Sequence, residues 1–207
     1  MSAAAGPSNA GPPSRWELMS VRVEQTAQTA GVDSSGRHLI RSAIEAAMAT
    51  RLAVIDDDHD HDYLHPGRTV VILLDDVGLF EPVALAAACL LDTRRIELEV
   101  PDDEISAHVS PEVTAFRTAV PRSGSDTLPE DLLASEPDVV LVALAERLDQ
   151  VRHAHLWGNL PEARAAHEEA SDVYRRMAER THAQLAARYT SWCRAFGERY
   201  LGGARDT

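Results

Sequence analysis

The sequence predicts an all-α protein, and three observations carry that reading. Apolar residues recur at helical spacing, most clearly Val70, Leu73, Leu74 and Val77. Alanine is abundant and aromatic residues make up only 5% of the chain, a composition that favours helix over sheet. The run from Val83 to Leu91 carries no polar residue, and a helix apolar all round belongs inside a bundle with neighbours on every side.

Element by element, residues 1–14 (MSAAAGPSNAGPPS) read as a disordered N-terminal segment, and residues 15–201 as one helical domain. Trp16 to Ala30 forms a short helix docked by Trp16, Leu18, Val21 and Val23. Ser34 or Ser35 caps a helix from about Arg37 to Val54, whose core side is Leu39, Ile40, Ala43, Ala47 and Met48. An acidic, histidine-dotted loop follows, with Asp56, Asp57, Asp58, His59, Asp60, His61 and Asp62. Two helices joined at Gly78 span His65 to Asp92. Beyond an irregular stretch, Pro101 begins a helix that contributes Ile105, Val109, Val113 and Phe116. Residues 121–136 read as a loop. A strong helix starts at Pro137 with Leu141, Leu144, Leu148 and Val151 on one stripe, and Glu146, Gln150 and His153 on another. The last helical pattern, Pro161 to about Leu201, would be ~60 Å long at ~1.5 Å per residue, so it breaks near Thr181 or else packs on a second subunit.

Charge and cysteine usage narrow the function. The net charge is −13, and every one of the 20 basic residues is arginine. Lysine-based covalent chemistry is therefore excluded. An acidic surface also argues against nucleic acid and anionic membranes as partners. Two cysteines on apolar stretches, with no leader and no membrane-length run, point to a reducing, cytoplasmic setting.

Asp92 is the first residue to question, because a carboxylate ending the most buried helix costs several kcal/mol unless paired or coordinated. With His65 and Glu146 it could hold a divalent metal, since a hard cation in a bundle takes imidazole and carboxylate ligands from different helices. The same three residues also read as a helix-start histidine, a C-terminal turn aspartate and an arginine partner.

A resemblance sharpens this. HPGRTVVILLDDVGLFEPVALAAACLLDT resembles the segment of RelA/SpoT-type HD-domain (p)ppGpp hydrolases that reads roughly HPxxVAxIL…G…DxxxLxAALLHDT. VALAERLDQVR (Val142 to Arg152) resembles their KLADRLxNxR helix, and EASDVYRRMA, with Tyr174, the helix that follows. The three blocks occur in family order, over about residues 37–187. The resemblance implies an HD-domain-like helical bundle with Mn²⁺ or another divalent metal on His65, Asp92 and Glu146. It also implies a phosphorylated nucleotide facing Arg147, Gln150 and Tyr174, and the guanidinium of Arg95 could fork onto its phosphate.

The chain departs from the pattern where the chemistry sits. Leu91 stands where the second histidine ligand belongs. Arg95 and Ile96 stand where the family has its water-activating Glu-Asp pair, so no catalytic residue can be assigned. His59 or His61 could supply a replacement ligand; the other reading of the acidic loop is a solvated turn. Three functions follow: a degenerate HD-domain protein that binds nucleotide for regulation, without metal or with a weakly held one; an active metal-dependent (p)ppGpp or nucleotide pyrophosphohydrolase with a rebuilt site; and a helical module forming a homo-oligomer through its C-terminal helices. The first is the expectation carried forward.

Overall fold

The computed structural model describes residues 12–122 and 129–202, and it is all-α: among these residues there is no strand. The expected disorder of residues 1–14 falls mainly on residues 1–11, outside the described residues. Ser14 itself is ordered and closes a capping box with Glu17, donating its backbone N–H to Glu17 Oε2 at 2.6 Å and accepting at Oγ from the Glu17 N–H. That box starts α1 (Arg15–Thr29). The face it docks differs from expectation, because Leu18 and Val21 are more than half exposed while Val23 and Ala27 are buried.

Asp33, and neither of the two serines after it, caps α2 (Ser34–Val54) by accepting from the Gly36 N–H at 2.7 Å. The buried stripe of α2 runs through Ile40, Ala43, Ile44, Ala47 and Met48, and then places Arg51 in the interior. Helix α3 (His65–Val71) opens with Pro66 in its first turn and continues as a π-helical segment, Ile72–Val77. Gly67 lies so close to Met19 of α1 that a Cβ there would collide with its side chain. Gly78 then ends the helix at φ 69°, a left-handed turn that glycine adopts without strain.

Helix α4 (Pro82–Cys89) is the hub, packing against α2, α3, α6 and α8. Ala84, Leu85, Ala86, Ala87, Ala88 and Cys89 are all buried. It ends three residues before Asp92, which sits instead in a 3₁₀ turn, Asp92–Arg94, followed by another at Ile96–Leu98. This irregular segment is held by arginines. Arg94 Nη1 donates to the Arg117 and Val120 carbonyls at 3.0 and 2.5 Å, while Arg117 reaches Thr93 Oγ1 at 2.5 Å and Asp102 Oδ1 at 2.6 Å. Guanidinium forks satisfy buried carbonyls that no helix can pair.

The helix expected from Pro101 is two, α5 (Asp102–His108) and α6 (Pro111–Ala119), separated at Ser110, whose side chain caps the second. The expected loop contains α7 (Pro129–Leu133), and α8 spans Pro137–Arg152. Then come α9 (Leu160–Glu169), a π turn Ala170–Tyr174, α10 (Arg175–Thr181) and α11 (Ala183–Phe196). The break lies at His182, extended at φ −152° and ψ 115°. Tyr189 of α11 is fully buried and donates its hydroxyl to the Leu144 carbonyl at 2.8 Å, fixing the C-terminal helices on α8. Cys89 and Cys193 are free thiols. Among the described residues, no helix is long and apolar enough to cross a membrane.

Candidate functional site

Helices α3 and α8, the loop before α3 and the Asp92 turn converge on a cleft of about 430 Å³. His65, Asp92, Arg95, Arg147 and Gln150 line it, together with Arg68, Asp149 and Trp157. Its size falls in the range of small-molecule sites, although its walls are more polar than most.

His65 is anchored from behind. Its Nδ1 donates to Asp149 Oδ2 at 2.8 Å, because a carboxylate can only accept, and this leaves Nε2 directed away from Asp149. Asp149 is fully buried and is also gripped by Arg68, whose Nε and Nη2 donate at 3.0 and 2.9 Å. Burial would raise the Asp149 carboxyl, but the His65 hydrogen bond and the Arg68 guanidinium hold it well below the usual carboxylate range. On His65 burial opposes the charged form, yet the Asp149 bond and the neighbouring carboxylates outweigh it and raise the pKa. His65 Nε2 lies 4.0 Å from Glu146 Oε1, and burial pushes the Glu146 carboxyl up. An imidazole held in one tautomer, facing a carboxyl prone to protonation, can pass or share a proton.

Asp92 is settled differently. Arg51, fully buried, pairs its Nη2 with Asp92 Oδ2, and its Nε donates to the Asp62 carbonyl at 2.8 Å. The carboxylate is therefore paired, which answers the question raised by its burial. Satisfaction is incomplete: Arg51 Nη1, Asp92 Oδ1 and His65 Nε2 are buried without a hydrogen-bond partner.

The opposite wall is Arg147 and Gln150 of α8 with Trp157 and Glu162 beyond it; Tyr174 and Glu146, both expected at the site, are not among the residues that line the cleft. Arg147 pairs with Glu169, donates to Gln150 Oε1 at 3.0 Å and lies 5.4 Å over the Tyr174 ring. Gln150 Nε2 in turn donates to Glu146. Tyr174 donates to Glu169 at 3.1 Å, and burial first of all pushes its phenol up to about 12, so it stays a neutral donor. Tyr174 thus supports Arg147 from beneath.

Arg95 pairs with Asp62 at 2.8 Å and, more loosely, with Glu97 at 3.9 Å. Of the five loop aspartates, the one that lines the cleft with Arg95, Asp62, is thereby paired. Ile96 is 90% exposed and contributes nothing to the cleft.

Compared with protein-family models, curated proteins and solved structures, the chain matches none. The metal expected from the resemblance must therefore be judged on the residues alone. Two unpartnered buried atoms, His65 Nε2 and Asp92 Oδ1, are suitable donors. The rest of the set does not fit. Leu91 is buried in the apolar core, Glu146 is engaged by Gln150, and Arg51 already balances Asp92. Among the described residues, ligand atoms gather within 4.8 Å only at Asp57–Asp58–His59 and Asp60–His61–Asp62, so His65, Asp92 and Glu146 do not close to coordination spacing. Unit charges 4 Å apart interact by roughly 4 kcal/mol at an effective dielectric of 20, and Arg51 would repel a dication about twice as strongly. These residues do not fit a divalent metal.

Three residues escaped sequence reading: Arg51, Arg68 and Asp149. The signal for Arg51 was its place on the buried stripe, four residues after Ala47. An arginine there requires a buried carboxylate. Asp149 follows Glu146 by three residues and shares its helix face, where the sequence reading took Gln150 instead.

Proposed function

We propose that this chain is a catalytically degenerate, HD-domain-like relative of the RelA/SpoT-type hydrolases that binds a phosphorylated nucleotide and acts as a regulatory module in the cytoplasm. The observation that supports this reading is a cleft where the first two resembling blocks meet, with Arg68, Arg95 and Arg147 around His65, each paired with a carboxylate that a phosphate would have to displace or share, and with Trp157 in its lining. Arginine forks suit phosphate oxygens, and an indole or tyrosine beside them suits a base. Against turnover stand Arg95 and Ile96 in the places of the water-activating carboxylates; a positioned general base contributes about 10²–10⁴-fold.

Calorimetry with ppGpp tests binding, and chromatography after incubation with ppGpp and Mn²⁺ tests turnover. The expected outcome is binding, weakened in Arg95→Ala, with no pyrophosphate released. Metal-dependent release that disappears in Asp92→Ala would make the chain an enzyme instead.

A further inference from the structure

Arg51 does not itself line the cleft but stands behind it, paired with Asp92, which does. Its side chain is fully buried, its Nε is fixed on the Asp62 carbonyl at 2.8 Å, and its Nη2 occupies one oxygen of Asp92. The atoms left over are unusual for a purely structural ion pair. Arg51 Nη1 and Asp92 Oδ1 are both buried and unpartnered, and so is His65 Nε2. A carboxylate oxygen and an imidazole nitrogen of this kind are the donors a divalent ion takes, and the guanidinium stands beside them with its positive charge in place.

We infer that Arg51 is the resident cation of this site: it balances Asp92 in place of a metal ion, and the cleft binds its anionic ligand without metal. The inference deepens the nucleotide-binding reading, yet its central arm needs no nucleotide. Removing the guanidinium leaves Asp92 with a full negative charge, an open oxygen pair and the unpartnered His65 Nε2 nearby. A dication then meets attraction where it met repulsion. The change is largest for a replacement that fills the same volume without charge, which makes Arg51→Met the informative variant.

The measurement is Mn²⁺ binding to the full chain, read from the electron paramagnetic resonance of free Mn²⁺ and by calorimetry with the metal alone. The parent should bind Mn²⁺ no better than Asp92→Asn. Arg51→Met should bind at least about tenfold more tightly than the parent, and the double variant Arg51→Met/Asp92→Asn should lose that gain. A parent that binds Mn²⁺ stoichiometrically, with loss in Asp92→Asn, would overturn the inference; so would a folded Arg51→Met with no gain, which is what a merely structural ion pair predicts. Should Arg51→Met not fold, the parent decides alone: ppGpp affinity equal in chelator and in excess Mn²⁺ supports the resident cation, and affinity that requires Mn²⁺ refutes it. A parent that binds no nucleotide at all refutes the proposed function and, through the Mn²⁺ comparison with Asp92→Asn, still reads the role of Arg51.

Discussion

The cleft contains two buried carboxylates, and they are satisfied to different degrees. Asp149 meets His65 and both donor edges of Arg68, and neither of its oxygens is left over. Asp92 meets only Arg51, and each member of that pair retains an unpartnered atom. A closed network rigidifies its surroundings, whereas a partly closed one keeps capacity for something else. Asp149 sets the direction of His65 with both oxygens used, whereas Asp92 and Arg51 each keep an unpartnered atom.

The largest expected effect falls on the closed network. Asp149→Ala strands Arg68 and the buried His65, and should cost about 3–5 kcal/mol in urea unfolding. A cost under about 1 kcal/mol would erase the distinction. Arg51→Met should follow at about 3 kcal/mol, since it leaves Asp92 without its counter-ion, while Arg51→Met/Asp92→Leu should recover most of that loss because apolar replacements of buried pairs are often neutral. A double variant no more stable than the single one would mean that the pair is not the relevant unit.

Leu91→His sharpens the comparison from the apolar side. Leu91 is buried at 3% exposure, so an imidazole there should cost roughly 1–3 kcal/mol through an unsatisfied polar group. Alone it should leave Mn²⁺ affinity unchanged, because Arg51 still neutralises Asp92. A calorimetric gain in Mn²⁺ binding would place that side chain at the site.

The pH dependence has opposite signs for the two anchored groups. The His65 pKa is raised above its ordinary 6.5, so its contribution is complete below about pH 6.5 and declines as pH rises through the folded value. Burial of Glu146 acts in the same direction. Asp149 is depressed below its ordinary 3.8, so its contribution is present above that pH and vanishes only in stronger acid. Unfolding titrations of the parent against His65→Asn should therefore show an advantage near pH 5 that shrinks by pH 8. An advantage growing with pH would contradict the His65–Asp149 assignment. The smallest effect belongs to Arg95→Ala: its half-exposed pair with Asp62 should contribute no more than about 1 kcal/mol to stability, so any loss of ppGpp binding would stem from lost contacts.

Much of the fold was legible because helical periodicity is a local property. The stripe through Leu144, Leu148 and Val151 and the break just after Thr181 both follow from spacing. On the resemblance, His65, Asp92 and Glu146 were expected at one pocket; His65 and Asp92 line the cleft, and Glu146 lies 4.0 Å from His65 but does not line it. What could not be read locally was partnership. The helical stripe marks Arg51 as interior but does not name Asp92, 41 residues later, as its partner, and the face of α8 that carries Asp149 does not name His65, 84 residues before it. Leu18 and Val21 misled in the other direction, since apolar character alone does not say which side of a short helix docks.

The 84-residue separation between His65 and Asp149 also gives the site a history in time. At synthesis rates of about 5–20 residues per second, His65 and Arg68 wait roughly 4 to 17 s for the carboxylate that joins them. From the synthesis of Asp92, 27 residues after His65, until that of Asp149, the growing chain carries Arg51 and Asp92 but not the carboxylate that orients the imidazole. Closure of the cleft therefore waits until α8 has emerged and packed on α3, whereas the contacts among α2, α3 and α4 need no residue beyond Cys89.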